Sequence, residues 1–370
     1  MKVLALCSYP EEAAATRFRI QQYIEPLSRQ GIEITVRPFL NGPSFKSMYQ
    51  GGSIPKKVLG VLSGLYRRFT DVPTIRRYDL IFVQREAMLF GPAVFEWLYQ
   101  KFGSLPMVLD LDDATYVRYV SPTYGRLGSF FKFFGKTDAL IRRASTVICG
   151  NRFISAHVES LGTAATIVPT VVDTEIFRPA DHTNEIPVIG WIGTHSSYPF
   201  LEAIFPIIAK LAESHTFRLK IVGSGRRSIA IAGVEVENVD WALDREVEDF
   251  QSMDIGLYPL SVIASANEEW LAGKSGFKAI QYMAVGVPFV MTPVGVCSEI
   301  GVPGNTHFNA ASDEDWYNSL ETLLADKGLR SKMGNEARAH SLENFGVDLQ
   351  ADRLAAVLNS AVKNESSPDN

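Results

Sequence analysis

Short runs of Val, Ile and Leu, separated by longer stretches with helical spacing, recur along the whole chain, and this recurrence restricts the fold more than any other feature. Near-continuous apolar runs are the mark of parallel strands whose two faces are covered by crossover helices. The first half reads as strands at residues 2–7, 33–39, 79–84, 106–111, 146–150 and 166–169. The second reads as strands at 187–193, 218–223, 234–239, 254–260 and 287–292. Each set makes an α/β, doubly wound, Rossmann-like domain, and the predicted boundary falls between Pro179 and Pro187. The expected domains are 1–180 and 181–347, followed by a C-terminal helix over 348–362 that packs back across a domain surface. Leu349, Leu354, Val357 and Leu358 supply its apolar side, and residues 363–370 form a flexible tail. Open parallel sheets bind ligands outside the carboxyl ends of their strands, so two facing sheets predict a deep cleft between domains.

A length of 370 residues suits two domains, and 46% apolar with 21% charged residues suits a large buried core. No apolar run approaches the length of a membrane-spanning helix, and the opening segment turns polar after Cys7, too early for a signal-peptide core. Cys7, Cys149 and Cys297 are widely spaced within or beside apolar segments, which points to a reducing, cytoplasmic compartment rather than to a disulfide or metal framework. The net charge of -5 conceals an asymmetry: 22 Lys and Arg stand against 15 Asp and Glu in residues 1–180, and 14 against 26 thereafter. A basic half favours an acidic partner, and an anionic inner-leaflet membrane surface ranks above nucleic acid, which calls for denser basic patches. Within that half, Lys46, Lys56, Lys57, Arg67, Arg68, Arg76 and Arg77 surround Val58, Leu59, Val61, Leu62 and Leu65, which reads as an amphipathic surface helix. A second mixed segment, 129–136, interleaves Phe with Lys. It suits a bilayer interface or lipid-linked acceptor, or a basic helix packed by its aromatics onto the domain.

Residues 273–292, GKSGFKAIQYMAVGVPFVMT, read as loop, helix, stop and strand. Ser275 is the expected N-cap, Gly286 the left-handed C-terminal cap, and Pro288 follows the stop. Phe277, Ile280 and Ala284 form an apolar stripe, while Lys274, Lys278 and Gln281 share another face. Free amides and a dipole make the loop Gly273, Lys274, Ser275, Gly276 suited to a diphosphate, to which Lys274 adds charge. One charge-assisted hydrogen bond there contributes about 1.5–3 kcal/mol.

Three stretches in matching order carry a family resemblance: VPTVVDTEIFRP (168–179), VIGWIGTHSSYPFLEAI (188–204) and NEEWLAGKSGFKAIQYMAVGVPFVMTPVG (267–295). Together the chain resembles the family 4 retaining glycosyltransferases of GT-B fold, and most closely a subgroup with Glu-Trp followed by Gly-Lys-x-Gly-Phe-Lys. The resemblance implies sugar transfer from a nucleotide-sugar donor to a glycan or lipid-linked acceptor, as in envelope polysaccharide synthesis. It also implies retention of anomeric configuration and no metal cofactor. The family places glutamates eight positions apart, where this chain has Gly273 and Gln281; Gln281 still offers hydrogen bonds to ribose hydroxyls. Sugar contacts are then expected from Glu268 or Glu269. Where the family has Arg and Lys after the first strand of its second domain, this chain has Gly193, Thr194, His195 and Ser196, so Lys274 or Arg226 is expected to hold the diphosphate.

Asp110, Asp112 and Asp113 end a first-half strand, with Asp112 and Asp113 the candidates for catalysis or acceptor orientation beside Lys274. Metal ligation by this triplet and simple turn capping are the alternatives. Arg17, Arg19 and Arg85 are further cleft candidates for a phosphate or anionic acceptor; for Arg85 and Glu86 an internal ion pair is the plainer reading. Two rivals stand beside the enzyme reading: a catalytically weak scaffold subunit, and a nucleotide-sugar epimerase or dehydrogenase. The dehydrogenase should show a Gly-x-Gly-x-x-Gly turn after the first strand, where this chain has CSYPEEAAA.

Overall fold

A computed structural model describes residues 1–49, 53–118, 133–181, 184–263 and 266–366. The chain divides into two compact units: Met1–Thr170 with Val347–Asn370, and Val171–Gly346.

The first unit runs β1 (Lys2–Cys7), α1 (Ala14–Arg19), α2 (Ile24–Ser28), β2 (Glu33–Pro38), α3 (Gly42–Tyr49), α4 (Ile54–Asp71), β3 (Leu80–Gln84), α5 (Val94–Gly103), β4 (Met107–Leu111), α6 (Gly135–Ile141), β5 (Thr146–Cys149), α7 (Arg152–Ser160) and β6 (Ala165–Ile167). Its six strands lie parallel in the order β2-β1-β3-β4-β5-β6. The central strands are buried on both faces, which is why they read as unbroken apolar runs.

The second unit runs β7 (Val188–Ile192), α8 (Tyr198–Glu202), α9 (Phe205–Leu211), β8 (Arg218–Val222), β9 (Glu235–Val239), α10 (Glu246–Gln251), β10 (Ile255–Tyr258), α11 (Glu268–Ala272), α12 (Phe277–Ala284), β11 (Phe289–Met291), β12 (His307–Asn309), α13 (Asp313–Ala325) and α14 (Lys327–Asn344). Its sheet is again parallel and six-stranded, ordered β12-β11-β10-β7-β8-β9. Trp191, Leu219, Ile255, Val290, Leu320 and Met333 belong to one core that joins this sheet to its helices. The sixth strand, β12, is not evident from the sequence: it is a three-residue edge strand whose His307 and Asn309 break the apolar pattern.

The last helix, α15 (Val347–Ser366), belongs to the first unit. It packs on α2 and β4 through Ala351, Leu354, Leu358 and Ala361, and is fastened at its start by Arg29 to Asp348 (2.7 Å) and Gln30 to Asp352 (2.8 Å). Leu349, read from the sequence as part of the apolar side, is 41% exposed and points away from this contact. The helix continues to Ser366, beyond the point where a flexible tail is expected, and residues 367–370 lie outside the described residues. The contact boundary between units falls at Thr170, ten residues before the sequence-based one at 180, so that Val171 and Val172, both buried, group with the second unit. Among the described residues no helix is long and apolar enough to cross a membrane.

Candidate functional site

From β7 the chain of the second unit proceeds outward to β8 and β9, then returns to lay β10, β11 and β12 on the other side. The carboxyl ends of β7 and β10 therefore flank a topological switch point, the usual ligand position in an open parallel sheet. Two glycine-bearing loops meet there. Gly223 and Gly225 adopt left-handed φ of +77° and +68°, and a Cβ on Gly223 would fall 2.4 Å from the Gly193 carbonyl oxygen. A Cβ on Gly225 would fall 2.9 Å from the His195 Cβ. The loop after β7 is pinned by the Thr194 amide donating to Ser197 Oγ (3.0 Å). The loop after β8 is pinned by Ser224 Oγ donating to Asn238 Oδ1 (2.8 Å), while the Asn238 amide donates to the Arg226 carbonyl (2.8 Å). Arg226 lays its guanidinium over the Tyr198 ring at 5.0 Å. The fold thus brings Gly193, Thr194, His195 and Arg226 together, with Thr194, His195 and Arg226 exposed.

A third wall is the turn between α11 and α12. Asn267 caps α11 by accepting from the Trp270 amide (2.8 Å), and the Gly273 and Lys274 amides donate back to Glu269 and Leu271 (both 3.1 Å). Lys274 Nζ lies 3.8 Å from the Trp270 ring centre, and Trp270 approaches Phe200 of α8 at 6.5 Å. Lys278 Nζ stands 5.8 Å from the ring of Tyr258, the last residue of β10. Beneath them Cys297 is fully buried; burial pushes its thiol up to about 12 against the opposing pull of Tyr258, Lys274 and Lys278, so it is an inert packing residue.

Two expectations for this segment are corrected. The N-cap of α12 is Gly276 at φ +65°, not Ser275, so Lys274 and Ser275 precede the helix and its first turn has no side-chain cap. Lys274 consequently does not share a helical face with Gln281 through the turns of α12. Gln281 instead lies among α12 residues buried all round, and its Nε2 has no hydrogen-bond partner among the described residues. The stop forms as expected: Gly286 at φ +69° donates to Met283 and Val287 to Tyr282 (both 3.0 Å), a Schellman closure. Phe277 is only half-buried, whereas Ile280 and Ala284 are fully so. Glu268 and Glu269 are exposed in the first turn of α11, and Gly273 is its buried C-cap.

In the first unit the switch point lies between β1 and β3. Arg85, immediately after β3, holds a left-handed φ of +60°, a costly conformation for a side chain with a Cβ. Its guanidinium grips Asp112 through Nε (2.5 Å) and Nη2 (2.6 Å) and reaches Asp113 at 2.9 Å, while Gln84 donates to Asp112 at 3.2 Å. Burial raises the Asp112 carboxyl, but the Arg85 charge and hydrogen bonds outweigh it and hold the group below its ordinary value. Asp112 is therefore an ionised anchor for Arg85, not a carboxylate free to act on a substrate. Asp113 is more exposed and retains the candidate role. Arg19 and Asp110 are removed from the acceptor candidates: both are buried and paired bidentately, and Arg19 also donates to the Val168 carbonyl (2.7 Å). Arg17 is half-buried, donates to the Glu12 carbonyl (3.3 Å) and lies over Phe18.

Glu86 pairs with Lys136 (2.6 Å), not with Arg85, and Lys136 also donates to the Met88 carbonyl. That pair takes Lys136 out of the expected membrane-facing segment; Ser129 to Lys132 lie outside the described residues. Among the described residues no group of three or more His, Cys, Asp or Glu side chains is placed to hold a metal. Sequence reasoning left Trp270 without a role, although its position four residues before Lys274 was the available signal.

Residues 186–326 match the family described as Glycosyl transferases group 1. No curated protein matches the chain in sequence. Among solved structures, a glycosyltransferase from Rickettsia africae is similar with a TM-score of 0.69 at 14% identity, covering 98% of this chain and 99% of that one. Anabaena HepE in complex with UDP-glucose is similar with a TM-score of 0.68 at 17% identity, over 97% and 100%. Sucrose-phosphate synthase from Thermosynechococcus elongatus is similar with a TM-score of 0.65 at 15% identity, over 98% and 100%. The chain has the GT-B fold, and over residues 186–326 it matches the group 1 glycosyltransferases.

Proposed function

We propose that the protein is a retaining glycosyltransferase that moves a sugar from a nucleotide-sugar donor, held by the second unit, to a glycan or lipid-linked acceptor engaged by the first. The observation that carries this reading is the pairing of two features on one short segment. Lys274 is held at the uncapped start of α12, and the same helix contains a buried Gln281 amide whose Nε2 has no partner among the described residues. An unsatisfied buried donor costs about 1–3 kcal/mol, a cost removed when a ligand hydroxyl accepts from it. A nucleotide sugar supplies both complements: a diphosphate for the helix start and lysine, and ribose hydroxyls for the glutamine.

In the reaction the bond between the anomeric carbon and the diphosphate oxygen breaks, and the acceptor oxygen bonds to that carbon on the same face. The acceptor proton passes to the departing phosphate oxygen, so no strongly activated base is required. Lys274 and the backbone amides stabilise the charge that gathers on the leaving group, with Arg226 available from the adjoining loop. Gly193, Thr194 and His195 line the diphosphate and sugar side, and Glu268 or Glu269 takes the sugar hydroxyls. The chemistry proceeds without an essential metal. Because HepE was solved with UDP-glucose, a uridine donor is the first to test.

The test is thermal unfolding with a panel of nucleoside diphosphates and nucleotide sugars, with and without EDTA, on wild type and Lys274→Ala. Stabilisation by one nucleoside diphosphate that survives EDTA and is lost in the variant is expected. No response to any nucleotide turns the reading towards a scaffold subunit, and an inverted product anomer overturns retention.

A further inference from the structure

Helix α4 is packed inside out. Its inward face consists of Gly60, Gly64, Arg68 and Asp71. A Cβ at Gly64 would lie 2.8 Å from the Phe39 ring, and one at Gly60 would lie 3.0 Å from Ser44. The absence of side chains there seats the helix flush on Phe39 and α3. Arg68, fully buried, fixes its rotation by donating to the carbonyls of Cys7 (3.0 Å) and Ala87 (2.8 Å), and Asp71 accepts from Arg37. Val61 and Leu65 reach the small core around Phe39, Leu40, Met48 and Leu89. The large apolar residues left over face water: Ile54 (78% exposed), Val58 (50%), Leu59 (64%), Leu62 (54%), Tyr66 (70%) and Phe69 (59%). A surface helix of a globular domain normally turns such a stripe inward, and a contiguous exposed one marks an interaction surface.

Charge identifies what covers it. Across residues 53–77 the only acidic residue is Asp71, which is buried, whereas Lys56 and Lys57 stand in the first turn of the helix and Arg76 and Arg77 at the end of the turn that follows it, all with at least partial exposure and Arg76 with one N–H donated to the Phe102 carbonyl (3.1 Å). A second copy of the chain would bring these cations against one another. An anionic bilayer offers acyl chains for the stripe and phosphates for the cations at once. We infer that α4 lies flat on an anionic lipid surface, with Leu59, Leu62, Tyr66 and Phe69 sunk to the acyl boundary and the terminal cations at headgroup level. Arg67 takes no part, since its guanidinium is spent on the Phe39 carbonyl. The helix does not span the bilayer, because Arg68 and Asp71 tie its other face to the protein. This docking is independent of the donor chemistry.

The experiment is flotation of the full-length protein with phosphatidylcholine vesicles, with and without phosphatidylglycerol, at low and high salt. Binding is expected only to the anionic vesicles, and weaker in high salt. Lys56→Gln with Lys57→Gln should lower partition roughly twenty-five-fold, at about fivefold per basic residue. Leu59→Glu with Leu62→Glu should lower it at least about tenfold, and Tyr66→Ser gives a single-site check. All replace exposed or half-exposed side chains, so wild-type melting temperatures are expected and verify folding. Wild type that ignores anionic vesicles, or a leucine variant that binds as well as wild type, overturns the inference. So does wild type that sediments as a dimer without lipid and becomes monomeric in the leucine variant. Nucleotide binding is read separately in the second unit, so failure of either reading leaves the other standing.

Discussion

The Lys274 ammonium rests on the face of the Trp270 ring, 3.8 Å from its centre, so a residue one helical turn earlier determines where the charge sits. A cation held over an indole is stabilised by about 0.5–2 kcal/mol, and part of that appears as a smaller entropy loss when the ammonium engages a phosphate. Trp270→Leu should therefore raise the Kd for the cognate nucleoside diphosphate by roughly three- to tenfold, with Trp270→Phe in between. Lys274→Ala should raise it by about ten- to a hundredfold. Calorimetric titration of the three variants checks the order; a Trp270→Leu protein that binds like wild type removes Trp270 from the site.

Gly276 carries two demands at one position. Its φ of +65° disfavours any side chain, and a Cβ there would lie 2.2 Å from the Ile300 side chain. Gly276→Ala should cost about 2–4 kcal/mol from the left-handed backbone and the overpacking together. Denaturant unfolding measures the loss, and nucleotide affinity should fall with it because the start of α12 moves.

The same turn shows what sequence does and does not reveal. Gly286 and the stop of α12 were legible because the closure depends on local backbone geometry. The start was displaced by one residue because a left-handed glycine can replace a serine cap, and both stand side by side. Strands β1, β3, β4 and β7 were legible since burial on both faces requires unbroken apolar runs, whereas the edge strand β12 has no such requirement. Gly193, Thr194, His195 and Arg226 lie together because strand ends and glycine loops mark the switch point, whereas Gln281 is buried within α12. The first-unit candidates did not survive intact: whether Arg19 faces a ligand or Asp110, ninety-one residues away, is decided by tertiary packing that spacing does not encode.

Arg19 and Asp110 test that distinction directly. Removing one partner of a buried pair strands the other charge, so Asp110→Ala should destabilise the first unit by about 3–5 kcal/mol. Arg19→Met combined with Asp110→Ala should recover a large part of that loss. A double-mutant cycle by urea unfolding reads the coupling; near-additive losses would contradict the pairing.

His307 should confer pH dependence on the second unit. Its ring is buried against Phe289, with Thr306 Oγ1 2.8 Å from Nδ1 and Asn309 Oδ1 3.1 Å from Nε2, and burial lowers its pKa from 6.5 to about 4. Below pH 6.5 the unfolded chain takes up a proton that the folded protein refuses, so stability falls with pH through that window and is level above it. The slope is ~1.4 kcal/mol per pH unit, or about 2 kcal/mol between pH 6.5 and 5. Unfolding curves across this range should show the slope in wild type and lose it in His307→Gln.

The first unit is encoded in two pieces, up to Thr170 and from Val347 onward, with the second unit inserted between them. Leu354 and Leu358 of α15 lie beside Ile20, Tyr23 and Phe82, so that surface of the first unit remains uncovered until α15 is made. A ribosome therefore releases the inserted unit complete while the piece begun first is still open. Helix α15 completes the first unit only after the inserted unit has been synthesised, and a stop codon that removes it leaves that unit unfinished.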